Sequence, residues 1–285
     1  MVLINGKVIS QNILNTLADK VKELKKKNIE PGLGIILVGK KEDSVSYVKM
    51  KTRVCMEIGI KTIDIKLSEN IVEEKIIEEI EKLNTDSTIH GILVQLPLPK
   101  HINKDKVLNM IDIKKDVDGF HPYNMGNLAI NRLNNCIIPC TPEGCIKLLD
   151  SYNIEIEGKH VVVIGKSNVV GLPLSLLFMH REATVSVCHY KTQNIKTITK
   201  LADILVVACG QPKMINREYI KEGCIIVDIG INSIEDKTKK SGYKLVGDVD
   251  IDDVKEICSA ITPVPGGIGP MTIAMLMSHT IKAAY

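Results

Sequence analysis

The sequence predicts an α/β protein of two domains, each built on parallel strands with covering helices. In the first half, apolar strand-like runs at 32–39, 60–67 and 91–99 alternate with helical periodicity at 6–27, 43–58 and 71–84. A second series of strand-like runs follows at 160–165, 183–189, 203–210, 224–230 and 244–249. Alternation of this kind is typical of parallel sheets joined by crossover helices.

A helix-start signal separates the two series. Thr141 and Pro142 fit the N-cap and the first helical position, because a Thr side chain accepts from a free backbone N–H and Pro lacks one. We therefore expect two units joined near residue 140. A last helix follows Pro270, and we expect it to dock back onto the first unit.

Composition excludes several classes of protein. The 285 residues are 45% hydrophobic and 25% charged, which is ordinary for a globular chain. A net charge of +3 and only two Phe and no Trp argue against a nucleic-acid partner, which needs basic patches and stacking rings. No segment has the length of a membrane span, and the N-terminus lacks a basic region followed by an apolar one, so we expect a cytosolic protein without a membrane partner.

The eight cysteines are expected to be reduced, buried thiols, because several lie in apolar runs and no secretion signal precedes them. Cys136, Cys140 and Cys145 are clustered, but their spacing is not that of a CxxC zinc half-site. We expect no metal site.

A polar stripe is predicted on the helix at 43–58. Ser44, Tyr47 and Lys51 are three and four residues apart and share one helix face, while Val45 and Val48 point elsewhere. From this stretch alone, a solvated face with an extended Lys is the favoured explanation of such a stripe.

The segment HVVVIGKSNVVGLPLSLLF at 160–178 is typical of a strand, a tight turn and a helix. A dinucleotide fingerprint would place glycines at 165, 167 and 170; the chain has Gly165, Ser167 and Val170, with Gly171 one place late. The turn can still offer backbone N–H groups to a pyrophosphate. A generic turn that binds nothing remains the alternative.

The end of the next strand favours NADP over NAD. NAD sites usually carry an acidic residue there, but this chain has His189-Tyr190-Lys191-Thr192 and no carboxylate between Glu182 and Asp203. Lys166 and Lys191 suit a 2′-phosphate, although two solvated lysines are an alternative.

Three further segments carry candidate site residues. Gln95 closes a buried strand in QLPLP, Asp118 adjoins a glycine turn in DVDG, and residues 262–272 are unusually rich in Pro and Gly. Each has a plain structural alternative: a strand cap, a turn-forming aspartate and a linker.

Six sequence motifs occur along the chain in the order found in one protein family. They are VGKKEDSVSYVKMKTRVCMEIGI (38–60), VQLPLP (94–99), KDVDGFHPYN (115–124), PCTPEG (139–144), GKSNVVGLP (165–173) and PVPGGIGPMT (263–272). The chain resembles, essentially end to end, the bifunctional methylenetetrahydrofolate dehydrogenase/methenyltetrahydrofolate cyclohydrolase proteins. The resemblance implies a folate-binding catalytic domain at 1–140 and 268–285, completed by the C-terminal helix, a Rossmann-type NADP domain at 141–267, a cleft between them, and a homodimer.

The resemblance also implies roles for individual residues. Lys51 is essential to the cyclohydrolase step, Tyr47 packs along the folate ring, Gln95 hydrogen-bonds Lys51, and Asp118 grips the pterin. The residues that border the folate are Pro265, Gly266 and Gly267. Those that contact NADP are Gly165, Lys166, Ser167, Tyr190, Thr192 and Ile231.

The expected reaction is NADP-dependent oxidation of 5,10-methylenetetrahydrofolate to the 5,10-methenyl compound, followed by hydrolysis to 10-formyltetrahydrofolate. Hydride loss leaves a cation stabilised by two nitrogens, so that step needs orientation and no protein base. Hydrolysis needs proton transfer, for which a Lys with a lowered pKa is suited.

Two departures from the family pattern concern the cofactor. Lys166 replaces an Arg, and Tyr190 replaces a Ser often found there. Lys lacks the bidentate fork of Arg, so NADP binding is expected to be weaker or less exclusive, and NAD remains possible. The alternatives are a monofunctional dehydrogenase that uses NADP or NAD, and a non-catalytic protein that binds folate or dinucleotide.

Overall fold

The computed structural model describes residues 1–238 and 242–285, which form two compact units. One unit contains 11–140 and 273–285, and the other contains 1–10 and 141–272. The break at 140/141 lies at the predicted helix start, but the helix there begins at Cys140, so the prediction that Thr141 is its N-cap is wrong. The assignment of folate and NADP domains to 1–140 with 268–285 and to 141–267 stays a prediction.

Helices and strands alternate through most of the chain. The helices are α1 (Gly6–Lys26), α2 (Glu42–Ile58), α3 (Glu73–Thr85), α4 (Lys104–Leu108), α5 (Pro122–Ala129), α6 (Cys140–Ser151), α7 (Gly171–Met179), α8 (Ile195–Thr199), α9 (Ile251–Val254) and α10 (Ile268–Lys282). The strands are β1 (Val2–Leu3), β2 (Gly32–Val38), β3 (Lys61–Leu67), β4 (Gly91–Val94), β5 (His160–Ile164), β6 (Thr184–Cys188), β7 (Ile204–Val207), β8 (Ile225–Asp228), β9 (Asn232–Glu235), β10 (Tyr243–Val246) and β11 (Ala260–Ile261).

The unit of residues 11–140 and 273–285 has a three-stranded parallel sheet in the order β3-β2-β4. Every residue of β2 is buried, which explains why this strand is continuously apolar instead of alternating. Residues 274–277 of α10 lie in the same core as Leu14 and Leu33. The expected docking of the last helix onto the first unit is therefore confirmed.

The second unit has a six-stranded parallel sheet in the order β1-β11-β8-β7-β5-β6. From β5 the chain proceeds to β6 on one side and then to β7 and β8 on the other. This reversal is the switch point at which doubly wound sheets bind ligands. The two-residue strands β1 and β11 were missed from the sequence because so short a pairing has no periodicity to detect.

The run at 244–249 differs from the expected strand. Only Tyr243–Val246 is extended, and it pairs antiparallel with β9 instead of joining the six-stranded sheet. The strand ends just before Gly247, where a Cβ atom would lie 1.8 Å from Oδ2 of Asp228. Strand β4 also ends early, at Val94, before the two prolines of QLPLP that cannot donate to a ladder.

None of the eight cysteines, all of which lie in the described residues, forms a disulfide; seven of them are buried, and Cys209 is partly exposed. Among residues 1–238 and 242–285, no helix combines the length and the apolar character that a membrane span requires.

Candidate active site

Helix α2 carries the predicted polar stripe into the interior of its unit. Ser44 and Lys51 are buried, Lys51 being only 6% exposed, and Tyr47 is partly buried. The Nζ atom of Lys51 lies 5.4 Å from the centre of the Tyr47 ring. The alternative of a solvated face is wrong, because the packing around α2 covers this stripe.

The amine of Lys51 is held by a side chain from the end of β4. Its Nζ donates to Oε1 of Gln95 at 3.0 Å, and Nε2 of Gln95 donates to the carbonyl oxygen of Leu96 at 2.8 Å. The second bond fixes which end of the amide faces Lys51. Gln95 therefore offers the amine an uncharged acceptor, which places no counter-ion against it.

Burial sets the electrostatics of α2. It lowers the pKa of Lys51, because the ammonium form is poorly solvated there; Asp118, Cys140 and Cys55 act in the opposite direction. Burial also raises the pKa of Tyr47, so this side chain stays a neutral phenol. A lowered pKa increases the fraction of Lys51 that is an unprotonated base near neutral pH.

The two aspartates of DVDG, Asp116 and Asp118, differ in their contacts and surroundings. Asp116 forms the turn: its carboxylate accepts from the N–H groups of Gly119 and His121 at 3.0 and 2.8 Å, and from Nδ2 of Asn124 at 2.7 Å. The alternative that assigned turn formation to Asp118 is therefore wrong. Burial raises the pKa of Asp118 to about 6, although Lys51 opposes the shift.

Two neighbours of Asp118 were missed in the sequence analysis. His279 of α10 is buried, and its Nδ1 lies 2.9 Å from the carbonyl oxygen of Val117. The Sγ atom of Cys140 lies 3.3 Å from the same oxygen. A polar residue within an apolar C-terminal helix is a signal for a buried contact, but its partner cannot be found without the fold.

The glycine turn after β5 has the close packing that a dinucleotide turn needs. Gly165 has a φ of +124°, and a Cβ atom there would lie 2.3 Å from the carbonyl oxygen of Ala208. A Cβ atom on Gly171 would lie 2.0 Å from the oxygen of Gly165. Gly171 thus allows the close contact of turn and helix that the third fingerprint glycine normally provides.

The side chain and the carbonyl group of Ser167 both form hydrogen bonds within this turn. Its Oγ accepts from the N–H of Val170 at 3.2 Å, and its carbonyl oxygen accepts from the N–H of Leu172 at 3.0 Å. Lys166 and Ser167 are exposed in front of α7. The missing second glycine therefore does not prevent an accessible turn at the start of a helix.

The remaining predicted cofactor residues lie after β6 and β8. Tyr190 is 85% exposed, and Nζ of Lys191 lies 5.4 Å from the centre of its ring. Thr192 is used within the loop, where its Oγ1 accepts from the N–H of His189 at 2.8 Å. Ile231 is 48% exposed, an unusual state for an apolar residue beside a buried strand.

The segment with Pro265, Gly266 and Gly267 is an ordered turn in the second unit. Gly266 has a φ of +110°, its oxygen accepts from the N–H of Lys7 at 3.0 Å, and the N–H of Gly267 donates to Pro263 at 2.7 Å. A Cβ atom on Gly6 would lie 1.9 Å from the oxygen of Gly267. These contacts argue against a linker.

No cluster of His, Cys, Asp and Glu suited to a metal ion occurs in the described residues. The predicted site residues divide between the two units: Tyr47, Lys51, Gln95 and Asp118 lie in one, and the glycine turns, Tyr190, Thr192 and Ile231 lie in the other.

Two family models match the chain. The tetrahydrofolate dehydrogenase/cyclohydrolase catalytic domain matches residues 4–118, and the NAD(P)-binding domain of the same family matches residues 139–285. The chain belongs to the tetrahydrofolate dehydrogenase/cyclohydrolase family. The resemblance found in the sequence motifs is confirmed.

Individual members of this family are similar over nearly the whole chain. The bifunctional protein FolD of Acetivibrio thermocellus is 50% identical, with 99% of this chain and 96% of that protein covered. FolD 2 of Arabidopsis thaliana is 46% identical, with 99% and 95% covered.

Solved structures of family members have the same fold. The bifunctional FolD of Campylobacter jejuni gives a TM-score of 0.94 at 48% identity, with 100% of this chain and 98% of that chain covered. FolD of Trypanosoma brucei, solved in complex with NADP cofactor and an inhibitor, gives 0.96 at 38% identity, covering 100% and 97%. The predicted two-domain α/β fold is confirmed.

Proposed function

We propose that this chain is a bifunctional one-carbon enzyme. It oxidises 5,10-methylenetetrahydrofolate to 5,10-methenyltetrahydrofolate with NADP as hydride acceptor, and it hydrolyses the product to 10-formyltetrahydrofolate. The observation that carries both activities is the buried Lys51, whose amine is held by the uncharged Gln95. A pure dehydrogenase or a binding protein has no need of a buried base.

The dehydrogenase step requires the chain to orient its substrate. Asp118 binds the aminopyrimidine edge of the pterin, which offers two parallel donors to a carboxylate. Tyr47 lies along the folate ring. Since the cation left by hydride loss is stabilised by its own two nitrogens, no side chain has to remove a proton.

The hydrolytic step uses Lys51 as a proton carrier. The neutral amine, favoured by burial, accepts a proton from the attacking water and then returns it to a ring nitrogen before the ring opens. Gln95 keeps the amine in place through both transfers without favouring the ammonium form as a carboxylate would.

The cofactor site is the glycine turn with the loops after β6 and β8. The exposed turn at Lys166 and Ser167, in front of α7, suits the pyrophosphate, and Lys166 and Lys191 suit the 2′-phosphate. Gly165 and Gly171 let the turn pack against the backbone of Ala208 and against the start of α7, where Cβ atoms would clash. The absence of acidic residues from 183 to 202 in the sequence favours the phosphorylated cofactor.

A homodimer is part of this proposal. Helix α7 is apolar along its length, yet Leu172 and Met179 are exposed on it, and Val187 is exposed on the neighbouring edge strand β6. An exposed apolar patch beside an unpaired strand edge is typical of a subunit contact. We propose that a second copy of this chain covers this patch.

An absorbance assay tests the function. Purified protein, methylenetetrahydrofolate and NADP should give NADPH and a methenyl intermediate, and methenyltetrahydrofolate supplied without cofactor should decay faster than in buffer. NADPH formation without accelerated decay would reduce the function to a dehydrogenase. No reaction in either assay would contradict the proposal.

A further inference from the structure

The turn after β7 lies at the switch point of the six-stranded sheet. Strands β5 and β7 are neighbours, and the chain leaves them in opposite directions across the sheet. The loops that follow such a pair diverge and leave a crevice for a ligand. Gly165 follows β5, and Cys209 and Gly210 follow β7, so these two turns border the same crevice.

A fully buried carboxylate holds the second of these turns. Oδ2 of Asp248 accepts from the N–H groups of Cys209 and Gly210, both at 2.8 Å. Its Oδ1 accepts from Nδ2 of Asn232, also at 2.8 Å. One side chain thus joins the turn after β7 to the residue that follows Ile231.

A second buried carboxylate holds the other side of Ile231. Oδ1 of Asp228 accepts from the N–H groups of Gly230 and Asp248, both at 3.0 Å, and its Oδ2 accepts from the N–H of Val249 at 2.9 Å. Burial raises the pKa of Asp228 to about 7, and these backbone donors act against that rise. Ile231 therefore lies between two residues, each bonded to one aspartate.

Two glycines make room for these carboxylates. A Cβ atom on Gly247 would lie 1.8 Å from Oδ2 of Asp228, and one on Gly230 would lie 2.4 Å from Oδ1 of Asp248. Burying two carboxylates costs free energy unless each is well hydrogen-bonded. Both are fully engaged with backbone and amide donors, and those donors belong to the loops at the carboxyl edge of the sheet.

We propose that Asp248 is a positioning residue of the cofactor site. Asp228 supports it by accepting from the backbone N–H groups of Asp248 and Val249. Its carboxylate fixes the Cys209–Gly210 turn and the segment with Ile231 relative to each other, so that the exposed Ile231 side chain offers a fixed apolar surface to the cofactor. This inference rests on the proposed function and concerns how NADP is held. Asp248 itself needs no contact with the cofactor.

The test measures NADP affinity and cyclohydrolase activity in the same variants. Asp248→Ala leaves three donors unpaired and should raise the Kd for NADP at least about tenfold, with cyclohydrolase activity, assayed without NADP, within about twofold of wild type. Asp248→Asn should restore most of the affinity, because its oxygen still accepts from the turn and the Asn232 amide can rotate to face it. Asp250→Ala, on a surface ion pair with Lys213, is the matched control and should bind NADP like wild type.

A folded Asp248→Ala protein that binds NADP as wild type does would overturn the inference. If that variant fails to fold, Asn232→Ala decides. It removes the hydrogen bond that joins Asp248 to the Ile231 segment, together with a longer one of 3.5 Å to the carbonyl oxygen of Val246. Weaker NADP binding with full cyclohydrolase activity supports the inference, and unchanged binding overturns it. A wild-type protein without either activity would overturn the proposed function as well. If wild type has both activities, the NADP affinities of the variants test only the role of Asp248.

Discussion

Lys51 donates to Gln95 across 3.0 Å, and this bond joins helix α2 to the end of strand β4. The amine is buried, while its acceptor is an amide whose other end is fixed on the backbone of Leu96. An uncharged partner leaves burial as the main influence on the amine, and burial lowers the pKa of Lys51.

Gln95→Glu should move the pH dependence of the cyclohydrolase. A carboxylate in contact with Lys51 stabilises the ammonium form and raises its pKa, so the neutral base forms only at higher pH. Cyclohydrolase activity of wild type should rise as pH increases through the lowered pKa of Lys51, and in the variant this rise should occur at higher pH. Gln11→Glu, on the exposed face of α1, is the control. An unmoved pH profile would remove Gln95 from the tuning of Lys51.

Asp118→Asn should damage both activities, because the amide places a donor against the donors of the pterin and leaves one N–H unpaired. In wild type, the KM for folate should rise as pH falls through about 6, where the carboxylate of Asp118 becomes protonated and loses an acceptor. The variant should lack this pH dependence. Steady-state kinetics across pH 5–8 measure it, with the exposed Asp105→Asn as control. Normal folate binding by the variant would contradict the assignment.

Lys166→Ala should narrow the preference for NADP over NAD by roughly 1–2 kcal/mol, the scale of one charge-assisted contact. The measurement is the ratio of kcat/KM for the two cofactors. Lys200→Ala is the control, because Lys200 precedes β7 and lies at the opposite edge of the sheet from the glycine turn. Faster turnover with NAD than with NADP in wild type would contradict the cofactor assignment.

Gly6→Ala should disturb the folate turn through the start of α1. The added methyl would lie 1.9 Å from the oxygen of Gly267, so the turn at 265–267 must move. Overpacking of this kind costs about 1–3 kcal/mol of unfolding free energy. The KM for folate should rise together with a loss of stability in denaturant. Gly126→Ala is the control, because its added methyl would meet no described atom within 4 Å beyond its chain neighbours and its own helix; equal behaviour of the two variants would show that the turn is free to shift.

Helical spacing in the sequence predicts correctly which residues share one face of α2. It does not predict whether that face is buried. The stripe of Ser44, Tyr47 and Lys51 follows from helical spacing alone. Its burial depends on the sheet and on α10, which lies more than 200 residues away in the chain, so no local pattern contains it.

The local sequence pattern also failed to show which of two neighbouring aspartates forms a turn. Both aspartates of DVDG can form the turn, and only the fold shows that Asp116 does so through Gly119, His121 and Asn124. The run at 244–249 has apolar residues on both sides of Gly247 and Asp248, but only its first part is a strand, and that strand pairs with β9. Gly247 lies against the buried Asp228, which no local pattern shows.

Lys51→Met tests the central claim most directly. Met keeps the length and apolar stem of Lys, so α2, Tyr47 and the folate slot should persist, and hydride transfer should continue. Cyclohydrolase activity should fall about 10²–10⁴-fold, the typical contribution of a general acid–base group, so that methenyl-folate accumulates. The exposed Lys49→Met on the same helix should retain both activities. Rapid hydrolysis of methenyl-folate by pure, folded Lys51→Met protein would contradict the account.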